Sequence, residues 1–519
     1  MPQALYVTHL LPALWLLFLL VAASQLAARL RAHGLRRPTP DTALTLAITA
    51  LALTLRAALP TWGPGDVSHA IPFAYLGPAA IHELSPYGSA LDALALLAFR
   101  VLPTSDTTIA TLALLASAAS PALLTALARR LGYPRLATHA AALLLATTPL
   151  LVRYAPTVDR YSFLIFTALT ALTALLAYLQ ERRPTDLALA TLAVILGTQL
   201  RPDALWLPPA AAGLVLAYAL SRRRLTPAPP PPPALPLALA AAATALALLE
   251  PAATLAHALR TGFWPVPPAA AATATFLVDP AHNIFLASAY TPLAWPALAA
   301  VGLFRPPAGR LPLHLWVLVM AVGATFLGAV HAIDFNISST RYQLPAQPFF
   351  ILLAAAALAW PPRRVAIPLT LAAAALTVPA LSRTTAERTF QAEYRFLRAA
   401  LAELPDDCAI VTFSPNSTEL GLRPNHQLSA TAGRRHRWYF DHTDPTFAAE
   451  PCQALYVNAS CDADCPQDAA NQRLHCVTLR AQASAPISEA TLPNRALLIR
   501  DGYRHAEVPV SLHWLRRPD

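Results

Sequence analysis

Charge is what this sequence has least of. Of its 519 residues only 13% are Asp, Glu, Lys or Arg, about half the roughly 25% usual in soluble domains. With 56% hydrophobic residues and a mean hydropathy of +0.45, a soluble globular protein is excluded and a multi-span helical membrane protein is expected. Lysine is absent altogether, so all 38 basic residues are arginine. That skew accompanies heavy use of Ala and Pro and reads as codon bias. The net charge of +10 is therefore no argument for a nucleic-acid partner, and none is expected.

Cysteine is missing from the whole apolar part. The five present, Cys408, Cys452, Cys461, Cys465 and Cys476, all lie in the last quarter of the chain. Cysteines gathered in a polar terminal region point to an oxidising compartment and disulfides. Two bridges leave one thiol over and their pairing open; at least one is expected within Cys452 to Cys476. Zinc is the weaker reading. Cys461 and Cys465 have ligand-like spacing, but no second close pair of Cys or His follows at a zinc-finger distance.

What the chain has in quantity is apolar runs separated by arginine-rich turns. The first, about 9–30, has no basic residue before it and Arg29, Arg31, Arg36 and Arg37 after it. That order is the reverse of a signal peptide and predicts an anchored span with its N-terminus outside. Further runs follow at about 42–59, 106–127, 137–152, 161–179, 187–200, 204–220, 235–249, 291–304, 312–330, 343–360 and 365–381, giving about twelve transmembrane helices. Threaded in order, they put 16 of the 24 arginines through Arg383 inside, and nine of the twelve acids before it outside. This is the positive-inside pattern. Residues 89–102 begin and end on the outer side, which predicts a helix lying along the membrane surface. The proline-rich run 227–236 reads as a stiff linker between two halves of the bundle.

The character changes after Ser382. Phe390, Tyr394, Leu397, Leu401 and Leu404 mark one face of a helix. Strands are expected at 409–413, 455–457, 477–479, 496–499 and 508–512. The expected fold is thus an all-α polytopic membrane bundle over residues 1–382, with catalytic outer loops (the first at about 60–105). A small extracytoplasmic α/β or α+β domain follows over 383–519.

Acids are costly near a bilayer and mark functional sites by default, which singles out Asp66 and the His82-Glu83 pair in the first outer loop. Asp159 and Asp203 stand at later outer span ends, with Arg153, Arg201 and Arg341-Tyr342 beside outer loops. Each has a plain structural use as well. Asp66 could cap a helix, Asp159 could pair with Arg153 or Arg160, Arg201 and Asp203 could bridge a turn, and Arg341 could snorkel to headgroups.

In order and sidedness these pieces resemble the GT-C superfamily, integral-membrane glycosyltransferases that include protein mannosyltransferases and aminoarabinose transferases. The matching residues are Asp66 after Leu55-Arg56, Ser85-Pro86-Tyr87 before an apolar helix, Arg129-Arg130-Leu131-Gly132, Thr148-Pro149, Tyr154 to Asp159, Leu200-Arg201-Pro202-Asp203, and Arg341-Tyr342 with Pro345 and Pro348. Many relatives have a paired acidic motif in the first loop, whereas here Val67-Ser68-His69 follows Asp66.

The resemblance implies transfer of a sugar from a polyprenyl-phosphate donor to an acceptor hydroxyl on a lipid, glycan or protein. The implied course is an inverting single displacement at the extracytoplasmic face of a bacterial inner membrane. It implies a base among Asp66, Glu83 and Asp159, and a donor-phosphate grip from Arg341, Arg201, Arg153 and Tyr342, with His82 and Asp203 nearby. It requires no cofactor but admits a divalent metal held by Asp159 with Asp66 or Glu83. The rival classes are a transporter or lipid flippase, which would show internal repeats, and a non-catalytic envelope assembly protein.

Overall fold

A computed structural model describes residues 5–33, 39–58, 89–104, 106–155, 160–223, 234–260, 292, 294–331, 343–386, 391–412, 436–439, 443, 445–457, 478–493 and 507–517. The chain forms two compact units. The first takes in Met1–Thr61, Ile81–Leu97 and Thr111–Thr384, and the second Trp62–Ala80, Ala98–Ala110 and Thr385–Asp519.

Runs of Leu and Ala are strong helix formers, and in lipid the backbone must satisfy its own polar groups. The described part of the first unit is accordingly helical. A π-helical turn, Tyr6–Leu10, leads into α1 (Leu11–His33), followed by α2 (Pro40–Ala58), α3 (Ala90–Ala98), α4 (Asp106–Leu131), α5 (Arg135–Thr147), α6 (Pro149–Tyr154), α7 (Tyr161–Glu181) and α8 (Pro184–Leu200). A 3-10 turn, Pro202–Trp206, precedes α9 (Leu207–Arg222), α10 (Ala234–Ala247), α11 (Leu249–Arg260), α12 (Ala294–Gly302), α13 (Leu311–His331), α14 (Gln347–Leu358), α15 (Arg363–Ala375) and α16 (Val378–Ala386). Proline in the first turn starts α6, α8, α9 and α14, where its missing N–H is not needed.

Among the described residues seven helices are long and apolar enough to cross a membrane, and three shorter apolar helices accompany them at Pro184–Leu200, Leu311–Thr325 and Gln343–Leu358. The chain is an integral membrane protein. Two of the twelve expected runs differ. Thr148-Pro149 breaks the run 137–152 into α5 and α6, and the run 291–304 yields only the nine-residue α12. Residues 89–102 also differ from expectation. They give a nine-residue α3 whose Ala90 to Ala95 are all buried, so it packs inside the protein instead of lying on a membrane surface. Of the expected linker 227–236, residues 227–233 lie outside the described residues and 234–236 open α10.

Side-chain contacts join like ends of the helices. Arg130 at the end of α4 hydrogen-bonds Gln180 and Glu181 at the end of α7 (2.9 and 2.6 Å). Tyr133 meets His314 of α13 at 2.9 Å, and His314 meets the Gly302 carbonyl at 3.1 Å. A Cβ on Gly302 would collide with the Leu353 carbonyl of α14, so glycine here permits α12 and α14 to touch backbone to backbone.

The C-terminal part of the second unit holds α17 (Gln391–Leu401) and five strands: β1 (Ala409–Val411), β2 (Arg437–Tyr439), β3 (Gln453–Val457), β4 (Pro486–Pro493) and β5 (Glu507–Arg516). Their order is β2-β1-β3-β5-β4. β1 pairs in parallel with β2 and β3, whereas β5 is antiparallel to β3 and β4. Both faces of the central strands are buried. Ile410, Ala454 and Tyr456 pack with Leu397, Leu401 and Leu404 from the α17 side, and Ala409, Val411, Leu455 and Val457 pack on Phe447 and Leu479.

The strand expected at 477–479 is instead helix over 478–482. Leu-Arg-Ala-Gln-Ala is helix-forming, and Leu479 with Ala483 one turn on faces the core. Edge strands β2 and β4 were not expected. β4 is bounded by Pro486 and Pro493, which an edge position tolerates. The expected strand 496–499 lies outside the described residues.

A disulfide joins Cys408, just before β1, to Cys452, just before β3. This bridge pairs Cys452 with a residue 44 positions earlier, and Cys461, Cys465 and Cys476, the other members of the bridge expected within Cys452 to Cys476, lie outside the described residues. Closing a loop of that length should contribute about 3–4 kcal/mol. Cys408→Ala is expected to lower the unfolding midpoint of the non-reduced protein clearly, and dithiothreitol should reproduce that loss in the wild type but not in the variant.

Candidate functional site

The two ends of the helical unit treat arginine differently. At the end where α4 and α7 finish, Arg129 and Arg135 share Asp41 (4.0 and 3.2 Å), and Arg130 pairs with Glu181. These side chains are partly or fully open to the surroundings. At the opposite end Arg56, Arg153, Arg160 and Arg201 are buried, none more than 9% exposed. Taking a guanidinium out of water is costly unless charge or hydrogen bonds compensate. Each of the four has a visible compensation.

Arg56, in the last turn of α2, donates from Nε to Ser117 Oγ (2.8 Å), from Nη1 to the carbonyls of Ala52 and Ala146 (3.0 and 2.9 Å), and from Nη2 to the Leu145 carbonyl (3.4 Å). It ties α2 to α4 and to the end of α5, where Thr148-Pro149 frees carbonyls from the helix ladder. Its donors are occupied by protein, which makes it a brace and not a ligand-holder.

Arg160, at the N-cap of α7, pairs at 3.7 Å with Asp92 in the first turn of α3, with both side chains essentially unexposed. Arg201 follows the last turn of α8 in extended backbone and stacks over the Tyr161 ring at 4.4 Å. Arg153 lies 5.6 Å from the Tyr154 ring centroid. Ser162 Oγ donates to the Tyr154 carbonyl at 3.4 Å, so the end of α6 and the start of α7 are held together. Arg153, Arg160 and Arg201 therefore lie at the facing ends of α6, α7 and α8. Stacking uses the flat face of a guanidinium, while its N–H donors lie in the plane and point past the ring edge. Such an edge suits a planar or tetrahedral oxyanion.

Of the residues selected from sequence, Arg153 and Arg201 are brought together in this way. Asp203 sits in the 3-10 turn directly after Arg201. Asp66, His82, Glu83, Asp159, Arg341 and Tyr342 lie outside the described residues. Among the described residues no group of three His, Cys, Asp or Glu is placed to hold a metal ion, and the suggested metal ligands are not among them. Arg160 and Asp92 were not singled out as site residues. Their signal was present all the same, an acid inside the apolar run 90–98 and an Arg beside Asp159, since charges in such segments pair with one another.

An apolar cavity of 550 Å³ runs among α7, α8, α9 and α10, from Leu175 and Leu187 to Pro208 and Leu248. Its Pro208 and Leu248 limit lies at the end of the unit that carries Arg201.

Residues 90–252 match the family model of dolichyl-phosphate-mannose-protein mannosyltransferase. That stretch contains Asp92, Arg153, Arg160 and Arg201. ArnT from Cupriavidus metallidurans, solved with undecaprenyl phosphate, is similar at a TM-score of 0.55 and 12% identity, over 91% of this chain and 99% of that one. The fold is of the ArnT type. The apo form of ArnT gives the same TM-score and identity over 93% and 100%. Archaeal AglB from Archaeoglobus fulgidus, in complex with an inhibitory peptide and a dolichol-phosphate, reaches a TM-score of 0.46 at 13% identity over 76% of this chain. The chain spans 64% of the length of that oligosaccharyltransferase. No curated protein matches it.

Breaking a buried ion pair from one side costs about 3–5 kcal/mol. Asp92→Asn is expected to reduce the folded yield and the melting temperature strongly, and adding Arg160→Gln should restore part of both. A single variant as stable as the wild type would show that the pair does not hold α3 in place.

Proposed function

We propose that the protein transfers a sugar, hexose or pentose, from a polyprenyl-phosphate donor to an acceptor hydroxyl at the extracytoplasmic face of a bacterial inner membrane. The observation that carries this reading is the gathering of buried Arg153, Arg160 and Arg201 around the α6–α7 turn. Charged side chains buried in an apolar bundle mark functional sites by default. The apolar cavity beside α8 to α10 suits the lipid tail of such a donor. The family match over 90–252 and the ArnT-like fold favour the same chemistry. About twelve spans, a catalytic bundle over 1–382 and an extracytoplasmic domain over 383–519 belong to this reading.

The reaction needs a base for the acceptor hydroxyl and a cationic cradle for the departing phosphate. Asp66 is assigned the first role, with Glu83 and Asp159 as further acids. The second falls to Arg153 and Arg201, with Arg341 and Tyr342 completing the grip, and His82 and Asp203 are further candidates. The proton passes to the carboxylate as the acceptor oxygen attacks C1 from the face opposite the phosphate. The C1–O bond breaks, and its electron pair leaves with the polyprenyl phosphate. Arginine suits that leaving group because its fork offers two parallel hydrogen bonds to one phosphate.

The test is transfer by purified protein from polyprenyl-phosphate sugars. Asp66→Asn keeps shape and hydrogen bonding but cannot take the proton, and should lower turnover by about 10²–10⁴-fold with donor affinity nearly unchanged. Arg201→Gln should weaken donor binding and turnover together, because the phosphate is present in ground and transition states alike. Near-normal turnover in Asp66→Asn moves the base to another acid. Lipid movement across a vesicle bilayer with no transfer product would make the protein a flippase.

A further inference from the structure

At the end opposite the buried arginines, the ends of α4, α7 and α9 and the start of α13 enclose a cavity of 640 Å³. Its rim carries three guanidinium groups, Arg129, Arg130 and Arg310, against one carboxylate, Glu181, a surplus of two positive charges. The rim is built, not incidental. Arg310 Nη1 donates to the Arg130 carbonyl at 2.5 Å and so caps α4. Gly132, with a φ of +90°, ends that helix, and a Cβ there would stand 2.6 Å from Arg310 Cδ. Glu181 holds Arg130 at 2.6 Å and Arg183 at 3.3 Å.

Below the rim the lining turns apolar. Ala126 and Leu313 face the cavity, and so does Thr173, eight residues before Glu181 on α7. At 1.5 Å per residue the slot runs about 12 Å inward from the charged rim. Ser221 of α9 also lines it; this side chain is 1% exposed, and its hydroxyl has no hydrogen-bond partner among the described residues. A buried hydroxyl without a partner is expensive to maintain and marks a place where a ligand oxygen fits.

We infer that this cavity binds an anionic phospholipid, with the headgroup phosphate between Arg129, Arg130 and Ser221 and the start of one acyl chain in the slot between Ala126 and Leu313. A free phosphate would use the rim but not the slot, and a zwitterionic lipid would gain little from the charge surplus. Basic pockets between spans are suited to anionic headgroups. The site is separate from the donor site proposed above and does not depend on it.

Native mass spectrometry of the full-length protein in neutral detergent tests this, with dioleoyl-phosphatidylglycerol and dioleoyl-phosphatidylcholine as probes of identical tails. The glycerol lipid should be retained about tenfold more strongly. Arg129→Gln is half exposed and leaves Asp41 with Arg135, so it should fold normally, and it should reduce that retention about fivefold. Ala126→Trp keeps every charge but fills the slot, and should reduce it as much. Millimolar inorganic phosphate should not displace the lipid. Equal retention of the two lipids, retention unchanged in either variant at wild-type melting temperature, or displacement by inorganic phosphate would each overturn the assignment.

Discussion

Burying guanidinium groups in an apolar bundle is the constraint on which the first unit depends. Arg56 answers it with hydrogen bonds to a hydroxyl and three carbonyls, which fastens α2 to α5 at the point where Pro149 interrupts the helix. Arg160 answers it with a carboxylate from α3, which draws that short helix into the protein. Arg153 and Arg201 use tyrosine rings. The same four side chains thus bear on the packing of α2 to α8.

The two ends of the bundle show what environment does to one residue type. At the open end, arginines meet acids at the surface, where each contact is worth roughly 0–1 kcal/mol. At the other end the same side chain is enclosed, its interactions strengthen in the lower dielectric, and an error of pairing costs several kcal/mol. A lipid-linked substrate suits that second environment, since its tail needs apolar surface and its phosphate needs cations that water does not screen.

Much of this was legible in the sequence, for reasons particular to membranes. Lipid allows few backbone solutions, so apolar length announces helices directly, and arginine placement announces which ends lie together. The contacts Arg130–Glu181 and Tyr133–His314 join the ends that the arginine pattern had grouped. Arg201 and Arg153 stood out as cations at span ends. What was not legible depended on packing. Whether the helix at 90–98 lies on a surface or inside cannot be read from Leu and Ala alone, and Asp92 acquires meaning only with Arg160 beside it. In the second unit the three-residue edge strand β2 and the Pro-bounded edge strand β4 carry little apolar alternation, and Val477-Thr478-Leu479 looks like strand until the helix formers after it decide. The pairing of Cys408 with Cys452 follows from β1 and β3 being neighbours, which spacing does not disclose.

The central claim is that the buried arginines hold a lipid phosphate. Retention of polyprenyl phosphate by the purified full-length protein, compared with the polyprenol of identical chain, isolates that contribution. Charge-assisted hydrogen bonds to two guanidinium groups should favour the phosphate by at least about tenfold. Replacing Arg153 and Arg201 together by Gln should bring the two lipids to parity. Equal retention by the wild type, or an undiminished preference in the double variant, would contradict the account.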